Sequence, residues 1–216
     1  SPHNNTNPKA KDALPRIRQL IFEGKNKEAQ ELCGPTICSQ SANGMPYQTV
    51  GSLHLDFDGI NEYNDYYRDL DIEKAIATTR FTANGVTYTR EAYTSFPDQV
   101  LVIRLTASQK KSISFTAKYS TPYKSSVIRC ISPRKELQLN GKANDHEGIE
   151  GKVEFTALTR IENNGGKLEI LSDSTLQVKD ANSVILYVSI GTNFVNYKDV
   201  SGDALNSAQQ YLKLVN

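Results

Sequence analysis

Residues 75–90 read AIATTRFTANGVTYTR, and this stretch decides the fold. Asn84-Gly85 separates two runs that are rich in β-branched and aromatic residues and alternate in polarity. Both central residues of a two-residue hairpin turn need a positive φ, which Asn and Gly tolerate. The stretch therefore predicts two antiparallel strands joined at Asn84-Gly85.

The same period of two continues on both sides of this hairpin. Leu53, Leu55 and Phe57 alternate with polar residues, as do the residues around Leu70. Further strands are predicted at 99–107, 112–120, 127–131, 135–141, 151–160, 167–171, 174–179 and 183–191. Gly, Asn, Pro and Ser residues lie between these strands. No fixed repeat occurs in the sequence, so a propeller or solenoid is not expected. The pattern predicts a mainly β fold, a large antiparallel β-sandwich.

Two of these strands are apolar on both faces, at residues 100–103 and 184–188. A sandwich strand with one face in water should alternate instead. We therefore expect the outer face of at least one sheet to be covered, either by N-terminal helices or by another domain.

The first forty residues have helical rather than strand periodicity. Asn7-Pro8 is a helix-start signal, and Gly24 is a helix-stop signal. Pro15 is expected to break this helix, because an interior proline removes a backbone donor. A second short helix is predicted at 26–32, with Asn26 as its cap. The two form a helical hairpin, and we interpret residues 1–46 as a segment packed on the sandwich.

A third helix is predicted at the end of the chain, opened by Ser201 and Asp203. Its apolar stripe, formed by Leu205, Ala208, Leu212 and Val215, still runs at the last residue. The chain also begins without Met, so we expect it to be a segment of a longer protein. The predicted domains are the helical segment 1–46, the sandwich 47–199 and the start of a helical linker at 200–216.

Composition excludes several classes of partner. There are 25 Lys and Arg against 24 Asp and Glu, a net charge of +1, which gives no reason to expect nucleic acid or an acidic membrane. No apolar run approaches the roughly 18 residues of a membrane span. The three cysteines and three histidines have no zinc-like spacing, so no metal site is predicted. Cys33 and Cys38 are either a local disulfide or two free thiols.

One loop concentrates groups that carry chemistry: Asn144, Asp145, His146 and Glu147, followed by Gly148. Such a loop could hold a sugar or a metal, or supply a general acid and base. It is equally well described as a solvated hairpin tip. Loops carry most binding function, so the four residues are retained as candidates for a substrate rim or a domain interface.

A second cluster combines aromatic and polar side chains: Tyr63, Tyr66 and Tyr67, with Arg68 beside them. It suggests contact with a sugar, and the alternative is a turn at a strand edge with tyrosines packed beneath it. Tyr66, Tyr67 and Arg68 are retained as candidates. Arg90, Glu91 and Arg104 are interpreted as cross-strand ion pairs. No nucleotide-binding or hydrolase motif is present in the sequence.

The order of several segments resembles the N-terminal β-sandwich domain of α-L-fucosidases of glycoside hydrolase family 95. The segments are 3–10 (HNNTNPKA), 14–24 (LPRIRQLIFEG), 28–30 (EAQ), 47–57 (YQTVGSLHLDF), 67–75 (YRDLDIEKA), 88–100 (YTREAYTSFPDQV) and 192–199 (TNFVNYKD). The resemblance covers nearly the whole chain. The family's segment before this opening is absent, so the resemblance also implies that the first strands of the sandwich are missing.

The resemblance implies a supersandwich related in shape to galactose-mutarotase-like folds, followed in the family by a helical linker and an (α/α)6 barrel. The family hydrolyses terminal α-linked L-fucose from glycans without a metal or cofactor. Its catalytic residues lie in the barrel, so none is assigned here. These 216 residues are then expected to be inactive alone, to brace the barrel of the same polypeptide and to lend a loop to the active-site rim. A periplasmic or secreted location is the family expectation.

Two alternatives from other classes stay open. One is a carbohydrate-binding module that acts alone through the tyrosine cluster, although the absence of Trp weakens it. The other is a mutarotase-like enzyme in which His146 acts with Glu147 in the same loop.

Overall fold

The computed structural model describes residues 4–39 and 45–215. These residues form three helices and twelve strands. The helices are α1 (Ala10–Phe22), α2 (Asn26–Thr36) and α3 (Ala204–Leu214). The strands are β1 (Ser52–Phe57), β2 (Asn64–Asp71), β3 (Ile76–Ala83), β4 (Val86–Ser95), β5 (Val100–Ala107), β6 (Ile113–Ser120), β7 (Val127–Ile131), β8 (Glu136–Lys142), β9 (Glu154–Asn164), β10 (Lys167–Ser172), β11 (Thr175–Ala181) and β12 (Ser183–Thr192).

The strands form two antiparallel sheets of unequal width. The small sheet has the order β1-β6-β11-β10, and the large sheet has the order β2-β3-β4-β5-β12-β9-β8-β7. Side chains that alternate inward from both sheets form the main core, in which Phe115, Leu139 and Leu186 are fully buried. The predicted antiparallel β-sandwich is confirmed.

The hairpin between β3 and β4 has the turn that the sequence predicts. Asn84 and Gly85 both have positive φ, of 52° and 75°, and they join β3 to β4. The predicted strand bounds agree with the structure to within two residues, except that β4 continues to Ser95 and β9 runs from Glu154 to Asn164 rather than over 151–160. Residues 151–153 lie outside the strand because the Gly151 amide donates to the Asp145 carboxylate in the preceding loop.

The outer face of the large sheet is covered by α3 over β5, β12 and β9, which corrects the expectation that N-terminal helices or another domain cover it. Val100, Val102 and Leu158 point outward and form a second apolar cluster with Ala208 and Leu212 of α3. A short C-terminal helix therefore explains why strands β5 and β12 are apolar on both faces.

Helix α3 begins as predicted at Asp203, whose Oδ1 accepts a 2.9 Å hydrogen bond from the Asn206 amide. The predicted stripe is present, with Ala208 and Leu212 fully buried against the sheet. The helix ends at Leu214 and Val215 is extended, so the helical pattern does not continue to the last described residue. Asn216 lies outside the described residues.

Helix α1 differs from its prediction at its start and in its middle. It begins at Ala10 rather than Pro8. Asn7 Oδ1 still accepts the Lys9 amide at 3.0 Å as a cap would, and the Asn7 side-chain amide also donates to the carbonyls of Pro35 and Cys38 near the end of α2. Pro15 does not break the helix. Its ring removes one backbone hydrogen bond, and the helix continues beyond it to Ile17 and Leu20, which are buried in the hairpin. The predicted stop at Gly24 is confirmed by its φ of 75°.

Helix α2 is longer than predicted and continues to Thr36. Asn26 is its first helical residue rather than its cap. The apolar cluster of the helical hairpin consists of residues from α1 and α2, with Ile17, Leu20 and Ala29 buried. The division of the chain into segments 1–46, 47–199 and 200–216 stays a prediction. In the described residues, no helix is both long and apolar enough to cross a membrane.

Candidate functional site

A cleft lies where the large sheet extends beyond β1, the edge strand of the small sheet. It has a volume of about 600 Å³. One wall is formed by β1 and the loop that follows it, and the other by the inner face of β2, β3 and β4. The register of the large sheet places Arg68 opposite Thr79 and Thr79 opposite Arg90, so these three side chains share one face.

Arg90 occupies the deepest part of this wall. Its guanidinium carbon lies 4.3 Å from the ring centroid of Phe57 and 5.1 Å from that of Phe81, and both contacts are of the cation–π type. Its Nε is shielded from solvent and has no hydrogen-bond partner among the described residues. A buried polar group without a partner costs about 1–3 kcal/mol. Desolvation lowers the pKa of the Arg90 guanidinium, which still carries its charge at neutral pH.

The carboxylate in the lining of the cleft does not neutralise Arg90. Asp56 contacts Lys118 on the neighbouring strand, with 2.8 Å between Oδ2 and Nζ. The hydrogen bond from Lys118 lowers the pKa of the Asp56 carboxyl. With Arg68 also in the lining, the cleft has an excess of positive charge.

Aromatic rings line the mouth of the cleft. Tyr63 and Tyr66 are both more than half exposed, and their ring centroids are 5.7 Å apart. Tyr63 also meets Phe81 edge-on at 6.0 Å. The loop that carries Tyr63 is tied to the β3–β4 turn, because the Asn84 side-chain amide donates to the Gly59 carbonyl at 3.1 Å.

Of the three candidates in the tyrosine cluster, Tyr66 and Arg68 lie in this cleft and Tyr67 does not. Tyr67 points to the opposite face of β2, where Arg80 lies 5.6 Å from its ring centroid. Consecutive strand residues face opposite ways, so a run of neighbouring tyrosines cannot act together from a strand.

Sequence reasoning missed Arg90, which it interpreted as part of an ion pair. The ion pair on this part of the sheet joins Glu91 and Arg104, which lie opposite each other at 3.3 Å. A signal for Arg90 was present in the sequence. Arg90 is two residues after Tyr88 and four after Val86, so it points to the same face of β4 as these two buried residues. The alternation therefore predicts an inward-facing charge.

The other four candidates lie in a tight hairpin loop between β8 and β9. The His146 and Ile149 backbones pair with each other, and Glu147 and Gly148 between them have positive φ. The Asp145 carboxylate accepts the Gly151 amide at 2.8 Å and so fixes the loop.

Partly exposed side chains flank this fixed backbone, with His146 Nε2 3.8 Å from Glu147 Oε1. Asn144 is exposed on the same loop. The loop therefore presents Asn144, Asp145, His146 and Glu147 together but does not join the cleft at β1. Their role at a rim or interface stays a prediction.

A groove of about 700 Å³ adjoins the base of this hairpin. Lys142, Glu154 and Asp203 line it together with the first residues of α3. Lys142 is held by Glu150, with 3.0 Å between Nζ and Oε1, which raises the pKa of the Lys142 amine. Asp203 accepts the Asn206 amide of α3, so two of the charged side chains in the groove, Lys142 and Asp203, already have partners outside it.

The described residues contain no cluster of three or more His, Cys, Asp or Glu side chains that could hold a metal ion. Cys33, Cys38 and Cys130 are free thiols in the structure. His54 lies exposed on β1, and its Nε2 is 2.7 Å from the Ser120 hydroxyl.

Three known proteins that are similar to this chain are all named as α-fucosidases. The chain is 30% identical to "Alpha-L-fucosidase 2" of Arabidopsis thaliana in an alignment that covers 89% of this chain and 25% of that protein. It is 25% identical to "Probable alpha-fucosidase A" of Aspergillus niger over 88% of this chain and 23% of that protein. A protein of the same name from Aspergillus oryzae is 28% identical over 48% of this chain and 14% of its own length.

The chain thus spans about a quarter of the length of the first two curated relatives. Their names confirm the resemblance to α-fucosidases. A family model described as "Glycosyl hydrolase family 65, N-terminal domain" matches residues 1–197. This description names glycosyl hydrolase family 65, whereas the sequence resemblance pointed to family 95. Because that match covers most of the sandwich, the chain belongs to this family of N-terminal glycosyl hydrolase domains.

Proposed function

We propose that the chain is the non-catalytic N-terminal domain of a glycoside hydrolase that removes terminal α-linked L-fucose from glycans. The observation that supports this proposal is the share of this chain, and of each relative, that the alignments cover. Relatives named as α-fucosidases match 88–89% of this chain, but the match accounts for only 23–25% of their own length. The remaining three-quarters has room for an (α/α)6 catalytic barrel, and the domain then acts by supporting that barrel.

An apolar depression at one end of β4, β5 and β12 supports a bracing role. Phe96, Leu101, Val188 and Ile190 line it, and its volume is about 330 Å³. Phe96 is 86% exposed and Ile190 is 45% exposed. Large exposed apolar side chains beside a depression are typical of a protein interface. We assign this surface to contact with the barrel of the same polypeptide.

The hairpin loop at Asn144–Gly148 is our candidate for the rim of the active site. Its backbone is fixed by the Asp145–Gly151 hydrogen bond, so its side chains are presented in a defined arrangement. The substrate in this proposal is a fucosylated glycan outside the cytoplasm, in the periplasm or after secretion.

The test of the function compares the parent enzyme, the parent without this domain, and this chain alone on a fucosylated oligosaccharide. We expect turnover by the parent, loss of stability and of most turnover in the deleted form, and no turnover by the chain alone. Turnover by the chain alone at a rate near that of the parent would overturn the proposal.

The test of the bracing surface uses two phenylalanines of equal exposure. Phe96 is 86% exposed and Phe22, on α1, is 87% exposed. Phe96→Ser should lower the thermal midpoint of the parent enzyme by about 2–4 °C, whereas Phe22→Ser should leave it unchanged. Equal effects of the two substitutions would show that the depression is not the contact surface.

A further inference from the structure

The cleft at β1 carries a charge that its own walls leave unmatched. The Arg90 Nε–H is hidden from solvent and has no acceptor among the described residues. Arg68 adds a second guanidinium to the lining. Asp56, on the opposite wall, is engaged by Lys118 at 2.8 Å. The cleft therefore has two cationic groups, and its one carboxylate, that of Asp56, is already paired with Lys118.

The same cleft offers flat apolar surfaces beside these cations. Tyr63 and Tyr66 expose their rings at its mouth, and Phe57 and Phe81 form its floor under the Arg90 guanidinium. Aromatic rings beside a few polar groups are typical of small-ligand sites, in which the rings contact C–H surfaces and the polar groups fix the orientation.

We propose that this cleft binds a saccharide that carries a carboxylate, a hexuronic acid residue of a glycan. Its carboxylate lies on Arg90 and Arg68, and the C–H face of the sugar ring lies on Tyr66. A guanidinium matches a carboxylate through parallel N–H···O hydrogen bonds. A neutral sugar leaves the positive charge unmatched, and a simple anion does not use the rings.

The shape of the cleft favours a sugar over a through-running strand of polypeptide. The loop after β1 folds across it, contributes Ile60 and Tyr63, and is fastened to the β3–β4 turn by the Asn84–Gly59 hydrogen bond. The volume of about 600 Å³ lies within the usual range of small-ligand sites. This binding site goes beyond the proposed hydrolytic function, and the failure of either proposal leaves the other intact.

The experiment measures calorimetric binding of methyl glucuronide and of methyl glucoside, which differs from it only at the carboxylate. Acetate provides the carboxylate without the ring. We expect the glucuronide to bind about tenfold or more tightly than either comparison ligand. Equal affinity for glucuronide and glucoside, or for glucuronide and acetate, overturns the proposal.

Variants locate the site. Arg90→Gln should weaken glucuronide binding about tenfold, and Arg68→Gln, at an exposed position, should weaken it severalfold without disturbing the core. Arg104→Gln is the matched control, because Arg104 is on the other face of the same sheet and pairs with Glu91. An amide proton NMR spectrum confirms that each variant is folded. Equal losses in Arg68→Gln and Arg104→Gln contradict the proposed site.

A final arm repeats the titration on the parent enzyme. Binding there with the same preference for the glucuronide supports the proposal. If the ligand binds this chain but not the parent, a segment of the parent polypeptide covers the cleft and the proposal is wrong. Glucuronide turnover is not expected in either case, since the site is assigned to binding alone.

Discussion

The two ends of the sandwich differ in how well the inner face of the large sheet is covered. At the β7 end the small sheet lies over it. The Cys130 amide donates to the Asp173 carbonyl at 2.5 Å, the Lys135 amine donates to the Leu168 carbonyl, and Leu139 is fully buried. At the β2 end, inward-facing Leu70 is 63% exposed. The same sheet is thus a packed core at one end and an open surface at the other.

This difference shows that a strand's inward face is buried only where a second layer lies over it. The large sheet has eight strands and the small sheet has four, so the inner faces of β2 and β3 extend past β1. Arg90 lies at the boundary between the covered and the uncovered part of this face. Phe57 covers it on one side, and it lines the cleft on the other.

The largest expected effect tests that difference directly with two leucines on the inner face of one sheet. Leu139→Ala should lower the free energy of unfolding by about 2–5 kcal/mol, because it leaves a cavity in a closed core. Leu70→Ala should change it by less than about 0.5 kcal/mol. Urea unfolding of both variants measures the two values. Similar losses would mean that the β2 end is covered in solution.

The second effect is the pH dependence of the free energy of unfolding, to which a tyrosine buried in the core of the sandwich contributes. The Tyr119 hydroxyl is buried and lies 2.6 Å from the Thr159 hydroxyl, and burial raises the pKa of Tyr119 to about 12. The unfolded chain ionises this group near pH 10, so its stabilising contribution is complete below pH 10 and is lost as pH rises from about 10 to 12.

Over that interval Tyr119 alone should reduce the free energy of unfolding by about 2–3 kcal/mol. Tyr119→Phe removes the group, so its unfolding free energy should fall less steeply across this interval. Urea unfolding at several pH values measures both slopes. Identical slopes for the two proteins would contradict the burial of this hydroxyl.

The smallest effect compares two arginines of the large sheet, one paired and one unpaired. Arg160 contacts buried Glu136, with 3.4 Å between Nε and Oε1, and donates to the Leu212 carbonyl at 3.2 Å. Arg160→Met should lower the free energy of unfolding by about 1–3 kcal/mol, because it removes partners from buried acceptors. Arg90→Met should stay within about 1 kcal/mol of the natural chain, because the buried Nε has no acceptor to lose.

Thermal unfolding of these two arginine variants measures the difference. A loss for Arg90→Met as large as that for Arg160→Met would indicate that Arg90 has an acceptor that the cleft does not reveal. It would then weaken the case for an open anion site.

Local patterns accounted for most of the fold. The alternation of side chains located the strands, and Asn84-Gly85 located a hairpin turn, because both signals depend only on neighbouring residues. Helix ends were less predictable. Asn7 accepts the Lys9 amide as a cap would, yet the helix begins only at Ala10, and Pro15 lies within a continuous helix. The local signals therefore located the helix without fixing its first residue or its continuity.

The sequence identified only some of the residues of the candidate site. Tyr66 and Arg68 were identified and lie in the cleft, whereas Tyr67, adjacent in sequence, faces away from it. Arg90 was interpreted as an ion pair because Glu91 follows it. Which of two neighbouring charges faces inward depends on the phase of the strand, and whether an inward charge meets a partner depends on the opposite sheet.

The sequence by itself determined the strand pattern, the antiparallel class and the resemblance to an N-terminal glycosyl hydrolase domain, because these are recorded in residue order. Only the tertiary structure decided that α3 covers the outer face of β5, β12 and β9 and that the Arg90 Nε has no hydrogen-bond partner among the described residues. The physical reason is that periodicity shows which face of a strand is apolar. It does not show which other element lies on that face, or whether anything does.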